Sequence, residues 1–281
     1  MEFDRLKEKF VAGSSMQVAI KDLMSISKVQ RRQDRFDPSV GLTVTEAFVE
    51  IAVMMHPNLS DHPNILRLLG TTDTFNAVQS SNLPLVSLVM EYADLGSLEL
   101  FIHREQRSID SRLKMKIISD IAGGLHSLHS CDIIHNDVKS SNILLFSSPS
   151  DEYKVTAKIS DFGCSTLLAA TKSIRRAAGT RLFAPPEAYR EDCVVQPTRD
   201  VYSFGLVLLH LVTGSPPFDG MTETMVWDCK LNTQEMEKYI RASMRPRLDP
   251  ISLKIMDILL AALRPDPEQR LQNLSLPQLN G

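Results

Sequence analysis

One stretch constrains the fold more than any other: His135-Asn136-Asp137-Val138-Lys139-Ser140-Ser141-Asn142-Ile143-Leu144-Leu145. Asp137, Lys139 and Asn142 supply a carboxylate, an ammonium and an amide, with His135 in front. The apolar, strand-like run Ile143-Leu144-Leu145 follows at once. Three such groups held on one loop can steer a phosphoryl group, because they match its charge with preorganised donors and acceptors. The rest of the chain can be read for partners to this loop.

Upstream, residues 3–24 read as strand, turn, strand. Phe10-Val11-Ala12 precedes the turn signal Gly13-Ser14-Ser15, and Val18-Ala19-Ile20 ends on Lys21. Residues 25–42, with Arg31, Arg32 and Arg35, predict a polar, basic loop. Thr43 and Glu46 have capping-box spacing for a helix, with a stripe of Ala47, Phe48, Ile51, Val53, Met54 and Met55. Glu50 lies inside this helix. His62 to Gly70 reads as a turn and then a strand, and Val86 to Tyr92 as another strand. Asp94-Leu95-Gly96-Ser97-Leu98 breaks that strand and starts a helix. Strands dominate before this point and helices after it, which predicts an α+β chain with its boundary here.

Downstream, Leu113, Met115, Ile117, Ile118, Ile121, Ala122, Leu125 and Leu128 give a helical stripe from Arg112 to His129. Gly123-Gly124 lowers helix propensity there and permits close packing. Val155 to Ile159 alternates like a strand and delivers Asp161-Phe162-Gly163. Residues 164–183 are small, polar and basic, as a functional loop would be. Leu206 to Leu209 predicts a buried helix, ended by Gly214-Ser215-Pro216-Pro217-Phe218. The remainder, with Trp227 and Ile255 to Leu263, reads as amphipathic helices.

Composition excludes several classes. A chain of 281 residues suits one large domain or two lobes sharing an interface. A net charge of −3 gives no electrostatic case for nucleic acid. No apolar run of about 18 residues exists, so no membrane span is expected. The N-terminal residues lack the layout of a signal peptide. Cys131, Cys164, Cys193 and Cys229 never fall at CxxC spacing, which predicts reduced thiols in an intracellular, cytoplasmic setting. His126 and His129 read as polar helix edges rather than metal ligands.

Taken in order, these pieces resemble a eukaryotic protein kinase domain from Val18 to Arg270. The tetrad Val18-Ala19-Ile20-Lys21, the Asp137 to Leu145 loop, Asp161-Phe162-Gly163 and Pro185-Pro186-Glu187 carry the resemblance. It implies a bilobal kinase-like α+β fold, with a mainly β N-lobe over 1–93 including the hinge and a mainly α C-lobe over 94–281. It further implies ATP and Mg²⁺ as cofactors and a protein as substrate. Lys21 matches the lysine on the α- and β-phosphates, and Glu50 its helix partner. Met90 matches the gatekeeper; Glu91, Tyr92 and Ala93 match the adenine-binding hinge; Ala19 and Leu144 match the apolar residues above and below adenine. Asp137 matches the catalytic base and Lys139 the γ-phosphate lysine, while Asn142 and Asp161 match the magnesium ligands. His135 matches a structural histidine in a stack with Phe162 and Met54. Glu187 and Arg270 match a structural ion pair, and Asp200 matches the residue that braces the catalytic loop. Lys139 and Gly179-Thr180 fit transfer to Ser or Thr, and the Lys139 to Leu145 wording is most similar to the tyrosine-kinase-like group.

Two departures matter. Asn136 stands where the family usually has an arginine that grips a phosphorylated activation loop, as in the non-RD kinases. An amide lacks that bidentate charge, although Ser165, Thr166, Thr171, Ser173 and Thr180 remain candidate phosphosites. The Gly-x-Gly-x-x-Gly phosphate loop is also absent; its place, with the first strand, falls ahead of Met1. The chain is then either truncated or a lobe lacking its roof, with weak ATP binding and an exposed edge strand. A pseudokinase-like scaffold with weak or no ATP turnover is the rival reading, and a small-molecule kinase a third.

Overall fold

A computed structural model describes residues 6–11, 14–22, 38–74, 85–105, 109–149, 152–168, 180–190, 194–244 and 250–270. The short β-prone runs near the N-terminus form one antiparallel sheet. Its strands are β1 (Leu6–Val11), β2 (Ser14–Asp22), β3 (Leu68–Thr74) and β4 (Leu85–Glu91), in the order β1-β2-β4-β3. The register sets Ala19 opposite Met90 and Lys21 opposite Leu88. β1 lies at one edge of this sheet.

Helix α1 (Pro38–Met54) carries Glu50. It starts five residues before the expected cap at Thr43. Proline suits a first helical position, because its fixed φ is helical and its missing N–H is not needed there. The expected apolar stripe is also corrected. Phe48 and Met55 are 69% and 64% exposed, whereas Glu50, Val53 and Met54 are buried. Positions three and four apart share a helix face, so burying the Glu50 carboxylate turns Phe48 and Met55 outward.

Beyond residue 95 the chain is mainly helical. The short β5 (Gly96–Ser97) leads into α2 (Leu98–Glu105), and α3 (Ser111–Ser130) is capped by Asp110, whose side chain accepts from Leu113 N at 2.8 Å. After α3 come β6 (Ile133–Ile134), β7 (Ile143–Ser147), β8 (Val155–Ile159) and β9 (Thr166–Leu167), forming sheets β5-β7-β8 and β6-β9. β8 buries Val155, Ala157 and Ile159, as its alternation requires. Four helices follow: α4 (Thr198–Thr213), α5 (Glu223–Leu231), α6 (Thr233–Met244) and α7 (Pro250–Ala262).

Two glycines set close approaches. A Cβ at Gly124 of α3 would lie 2.8 Å from both the Asn64 carbonyl and Ile159 Cδ1. One at Gly205 of α4 would lie 2.9 Å from Leu263 Cδ2. α4 is buried from Thr198 through Val212, as its continuous apolar sequence predicts, and ends on Gly214 in the left-handed conformation. Gly13, Arg31, Arg32, Arg35, Thr171, Ser173, Gly179 and Cys193 lie outside the described residues.

Candidate active site

The loop between β6 and β7 is held from beneath by α4. Asp200, in the first turn of that helix, is fully buried, and its two oxygens accept from the backbone N–H groups of His135 and Asn136, each at 2.8 Å. His129 Nε2 lies 2.9 Å from the same carboxylate. Burial opposes ionisation of Asp200, but the His129 hydrogen bond and nearby histidine charge outweigh it and hold the carboxyl below its ordinary range. The His135 ring is spent on structure. Nε2 donates to Ser160 O at 3.0 Å, Nδ1 accepts from Asp137 N at 3.2 Å, and the ring meets Phe162 edge-on at 5.4 Å. With both nitrogens engaged and no exposure, this side chain is a packing post.

Asp137, Lys139 and Asn142 converge as the spacing suggests. Lys139 Nζ lies 2.7 Å from Asp137 Oδ2. Asn142 Nδ2 donates to Asp137 O at 2.9 Å and to Oδ2 at 3.2 Å. Thr180 closes the cluster from the far side of the loop. Its N–H and hydroxyl donate to Asp137 Oδ1 at 2.7 and 3.0 Å, and its hydroxyl accepts from Lys139 at 2.8 Å. The sequence marked Thr180 only as part of a Gly-Thr pair and as a candidate phosphosite; nothing in its neighbours signals this contact.

A second charged cluster forms around Lys21. Lys21, on β2, donates to both oxygens of Glu50 at 2.7 and 2.8 Å and to Asp161 Oδ1 at 2.9 Å. Burial alone would push the Lys21 ammonium down, but Glu50 and Asp161 overcome it and hold the group above its ordinary value. Asp161 sits in the left-handed region, at φ 65°. Such strain concentrates at functional sites, and aspartate tolerates it better than most residues. Asn136 shares this conformation at φ 63°. Its Nδ2 donates to Thr166 Oγ1 at 2.9 Å and to Cys164 O at 3.2 Å, tying the loop to β9.

At the far end, β4 runs out at Glu91, followed by Tyr92 and Ala93. The Glu91 side chain turns to Lys158 of β8, at 2.7 Å, and accepts from Arg67 N at 2.8 Å. Glu91 N donates to Arg67 O and Ala93 O accepts from Gly96 N, so part of this segment's backbone is already engaged. Met90 is buried, and Ala19 packs against the core cluster that contains Met90 and Leu144. Glu187 and Arg270 form a buried bidentate pair, with Nη2 to Oε2 at 2.7 Å.

The donor set suits a hard cation. Asn142 spends its amide nitrogen on Asp137, which leaves its oxygen as the group to offer a metal. Ser160, next to Asp161, binds Asn142 O through both its N–H and its hydroxyl, at 2.9 and 2.8 Å, so the two residues are fastened together. Oxygen donors in this number fit Mg²⁺, which keeps several waters and takes few protein ligands. Among the described residues no cluster of three or more His, Cys, Asp or Glu side chains could hold a metal alone. No helix among them is long and apolar enough to cross a membrane.

Comparison with known proteins identifies relatives of this chain. The chain is 38% identical over 165 residues to "Probable serine/threonine-protein kinase drkC" of Dictyostelium discoideum, covering 57% of this chain and 20% of that protein. It is 32% identical over 236 residues to "Serine/threonine-protein kinase CTR1" of Arabidopsis thaliana, covering 79% and 25%. It is 28% identical over 233 residues to "SNF-related serine/threonine-protein kinase" of Rattus norvegicus, covering 82% and 27%. The alignments thus span about a quarter or less of these relatives' lengths. A family model described as the protein kinase domain matches residues 8–279. The chain belongs to the protein kinase domain family.

Proposed function

We propose that this chain is the catalytic domain of a protein Ser/Thr kinase that moves the γ-phosphate of ATP to a protein hydroxyl. One observation carries the reading: Lys21 reaches both Glu50 and Asp161, so the phosphate lysine, its helix partner and the metal-binding carboxylate are assembled together. Residues 1–93 form the N-lobe with its hinge, and 94–281 the C-lobe. Ala19 and Leu144 would flank adenine, Met90 would lie beside it, and the Glu91–Ala93 backbone would offer it hydrogen bonds.

Asp137 orients the acceptor hydroxyl and takes its proton, a role worth about 10²–10⁴-fold in rate. Lys139, already 2.7 Å from Asp137, neutralises charge on the transferring group. Asn142 and Asp161 would hold Mg²⁺. When bound, the ion supplies charge neutralisation at the triphosphate oxygens. Asn136 makes neutral hydrogen bonds to Thr166 and Cys164, where an arginine would need a phosphate. This supports a catalytic loop anchored to the segment after Asp161 without activation-loop phosphorylation.

The test is thermal unfolding with ATP, with and without Mg²⁺, together with phosphoryl transfer to Ser and Thr peptides. A ligand that binds only the native state stabilises it, by about 2.7 kcal/mol at a hundred times its Kd. Mg²⁺-dependent stabilisation and a loss of transfer in Asp161→Asn are expected. No shift at millimolar ATP would favour the non-catalytic scaffold, and unchanged turnover in Asp161→Asn would sink the kinase assignment.

A further inference from the structure

A lysine outside both charged clusters is almost fully buried. Lys230, near the end of α5, is 1% exposed and flanked by Cys229 and Leu231. Its Nζ donates to three backbone carbonyls of one short turn: Arg181 O at 2.9 Å, Leu182 O at 3.0 Å and Ala184 O at 2.7 Å. An ammonium has three donors and no acceptor, so this turn uses all of them. The ring centroids of Phe218 and Trp227 lie 5.6 and 6.0 Å from the same nitrogen, within cation–π range.

The rest of the turn is closed in the same way. Thr180 O accepts from Phe183 N and Ala184 N at 2.9 and 3.0 Å, and Phe183 O accepts from Ser203 at 3.0 Å. Every carbonyl from Thr180 to Ala184 is therefore satisfied, and three of the five depend on one side chain from α5. The same helix holds the turn's exposed flank, where Glu223 pairs with Arg181 at 2.8 Å. The turn opens at Thr180, whose N–H and hydroxyl bind Asp137.

Burying an ammonium costs several kcal/mol unless its donors are met, and a loop needing only to be tidy could be closed by an amide or hydroxyl. The expensive group sits where one charge can fix three peptide dipoles at once. We infer that Lys230 is a positioning residue for phosphoryl transfer: it clamps the 180–184 turn so that Thr180 stays docked on Asp137 and Lys139. The clamp also fixes the wall against which an acceptor peptide would lie beside Asp137. This inference rests on the kinase reading for its functional half and on geometry alone for its structural half. Burial pushes the ammonium down to about 8, with Cys229 and Glu187 opposing, so the charged form prevails at neutral pH.

The experiment compares the full chain with Lys230→Met, which keeps length and loses every donor, and Lys230→Gln, which keeps an amide donor. Amide hydrogen exchange at Phe183 and Ala184 reads the clamp. Steady-state transfer from Mg²⁺-ATP to a degenerate Ser/Thr peptide mixture reads its consequence. In the unaltered chain both amides exchange at rates close to those of α4. Lys230→Met speeds them at least tenfold while α4 is unmoved, and Lys230→Gln falls between. kcat/KM for the peptide drops about tenfold in Lys230→Met, and KM for ATP stays within twofold. General destabilisation lowers kcat and kcat/KM together, through a smaller folded fraction, and leaves the peptide KM unmoved, so the positioning role requires in addition that the peptide KM rises severalfold. Fast exchange at Phe183 and Ala184 in the unaltered chain overturns the clamp without any variant, as does unchanged exchange in Lys230→Met. If exchange responds and peptide kinetics do not, the positioning role is refuted. If the unaltered chain transfers phosphate to no acceptor, the kinase reading fails, and the exchange arm still decides what Lys230 holds.

Discussion

Replacing Asp200 by asparagine tests how the catalytic loop is braced. The carboxylate offers two oxygens, one to each of the His135 and Asn136 amides, both at 2.8 Å, and is fully buried. Asparagine keeps the shape and one oxygen. Its NH₂ group then points a donor at a donor, so one backbone N–H loses its acceptor with no water to replace it. Hydrogen bonds to a charged group contribute about 1.5–3 kcal/mol, and an unsatisfied buried donor costs about 1–3 kcal/mol. The His129 contact to the same group weakens as well. The net loss works out at about 2–4 kcal/mol, a large share of the roughly 5–15 kcal/mol that holds a domain folded. At an unfolding entropy of about 2.1 cal/mol/K per residue, a chain this long loses about 1.7 °C per kcal/mol. Scanning calorimetry should therefore find Tm lower by about 3–7 °C. Amide exchange should accelerate at Asn136 or His135 ahead of the rest of the loop. The effect has a defined pH window. Asp200 titrates below the ordinary 3.8 when folded, so its stabilisation is complete above that value and is lost as pH falls through the folded one. The gap between the two proteins should close in acid. A Tm change under about 1 °C at pH 7, with both amides unaltered, would refute the bracing argument.

Three other outcomes follow from the same geometry. Lys21→Met should cut phosphoryl transfer by about 10²–10³-fold. Because the Lys21 pKa is raised above 10.5, its share of stability should persist to that pH and vanish only beyond it, as read from denaturant midpoints at stepped pH. Arg270→Met leaves Glu187 as an unpaired buried carboxylate, and urea unfolding should report a loss of about 3–5 kcal/mol. Gly124→Ala drives a Cβ to 2.8 Å from the Asn64 carbonyl, a backbone atom that cannot swing aside, so a loss of about 1–3 kcal/mol is expected in the same assay.

Much of the architecture was legible in the sequence because its signals are local. Alternation marked β8, the continuous apolar run marked α4, and motif order paired Lys21 with Glu50 although 29 residues separate them. α1 starts ahead of the capping-box spacing at Thr43 because Pro38, within the stretch read as a loop, is itself a favourable first helical residue. The apolar stripe of α1 failed at Phe48 and Met55 for a different reason: the helix buries a charge, and periodicity counts only apolar residues. Lys230 carried no local mark, and nothing near His129 or Glu91 in sequence signalled the contacts they make with Asp200 and Lys158. A lysine between Cys229 and Leu231 reads as a solvated helix charge, and only the fold reveals that a turn some 46 residues earlier supplies its acceptors.

The segment between α1 and β3 belongs mechanically to the helical half of the chain. Asn64 O and Leu66 N bond to Ile159 of β8, and His62 Nε2 meets Ser127 of α3 at 2.8 Å. One end of α1 is thus moored, and a pivot of the helix would have its fulcrum just past Met54. At 1.5 Å per residue, Glu50 lies about 6 Å from that end and Pro38 about 24 Å. A swing of about 10° would carry Pro38 by about 4 Å but Glu50 by only about 1 Å. That small travel is still enough to part a 2.7 Å contact with Lys21. A partner acting on the far end of α1 would have about a fourfold mechanical advantage over the ion pair near its fulcrum.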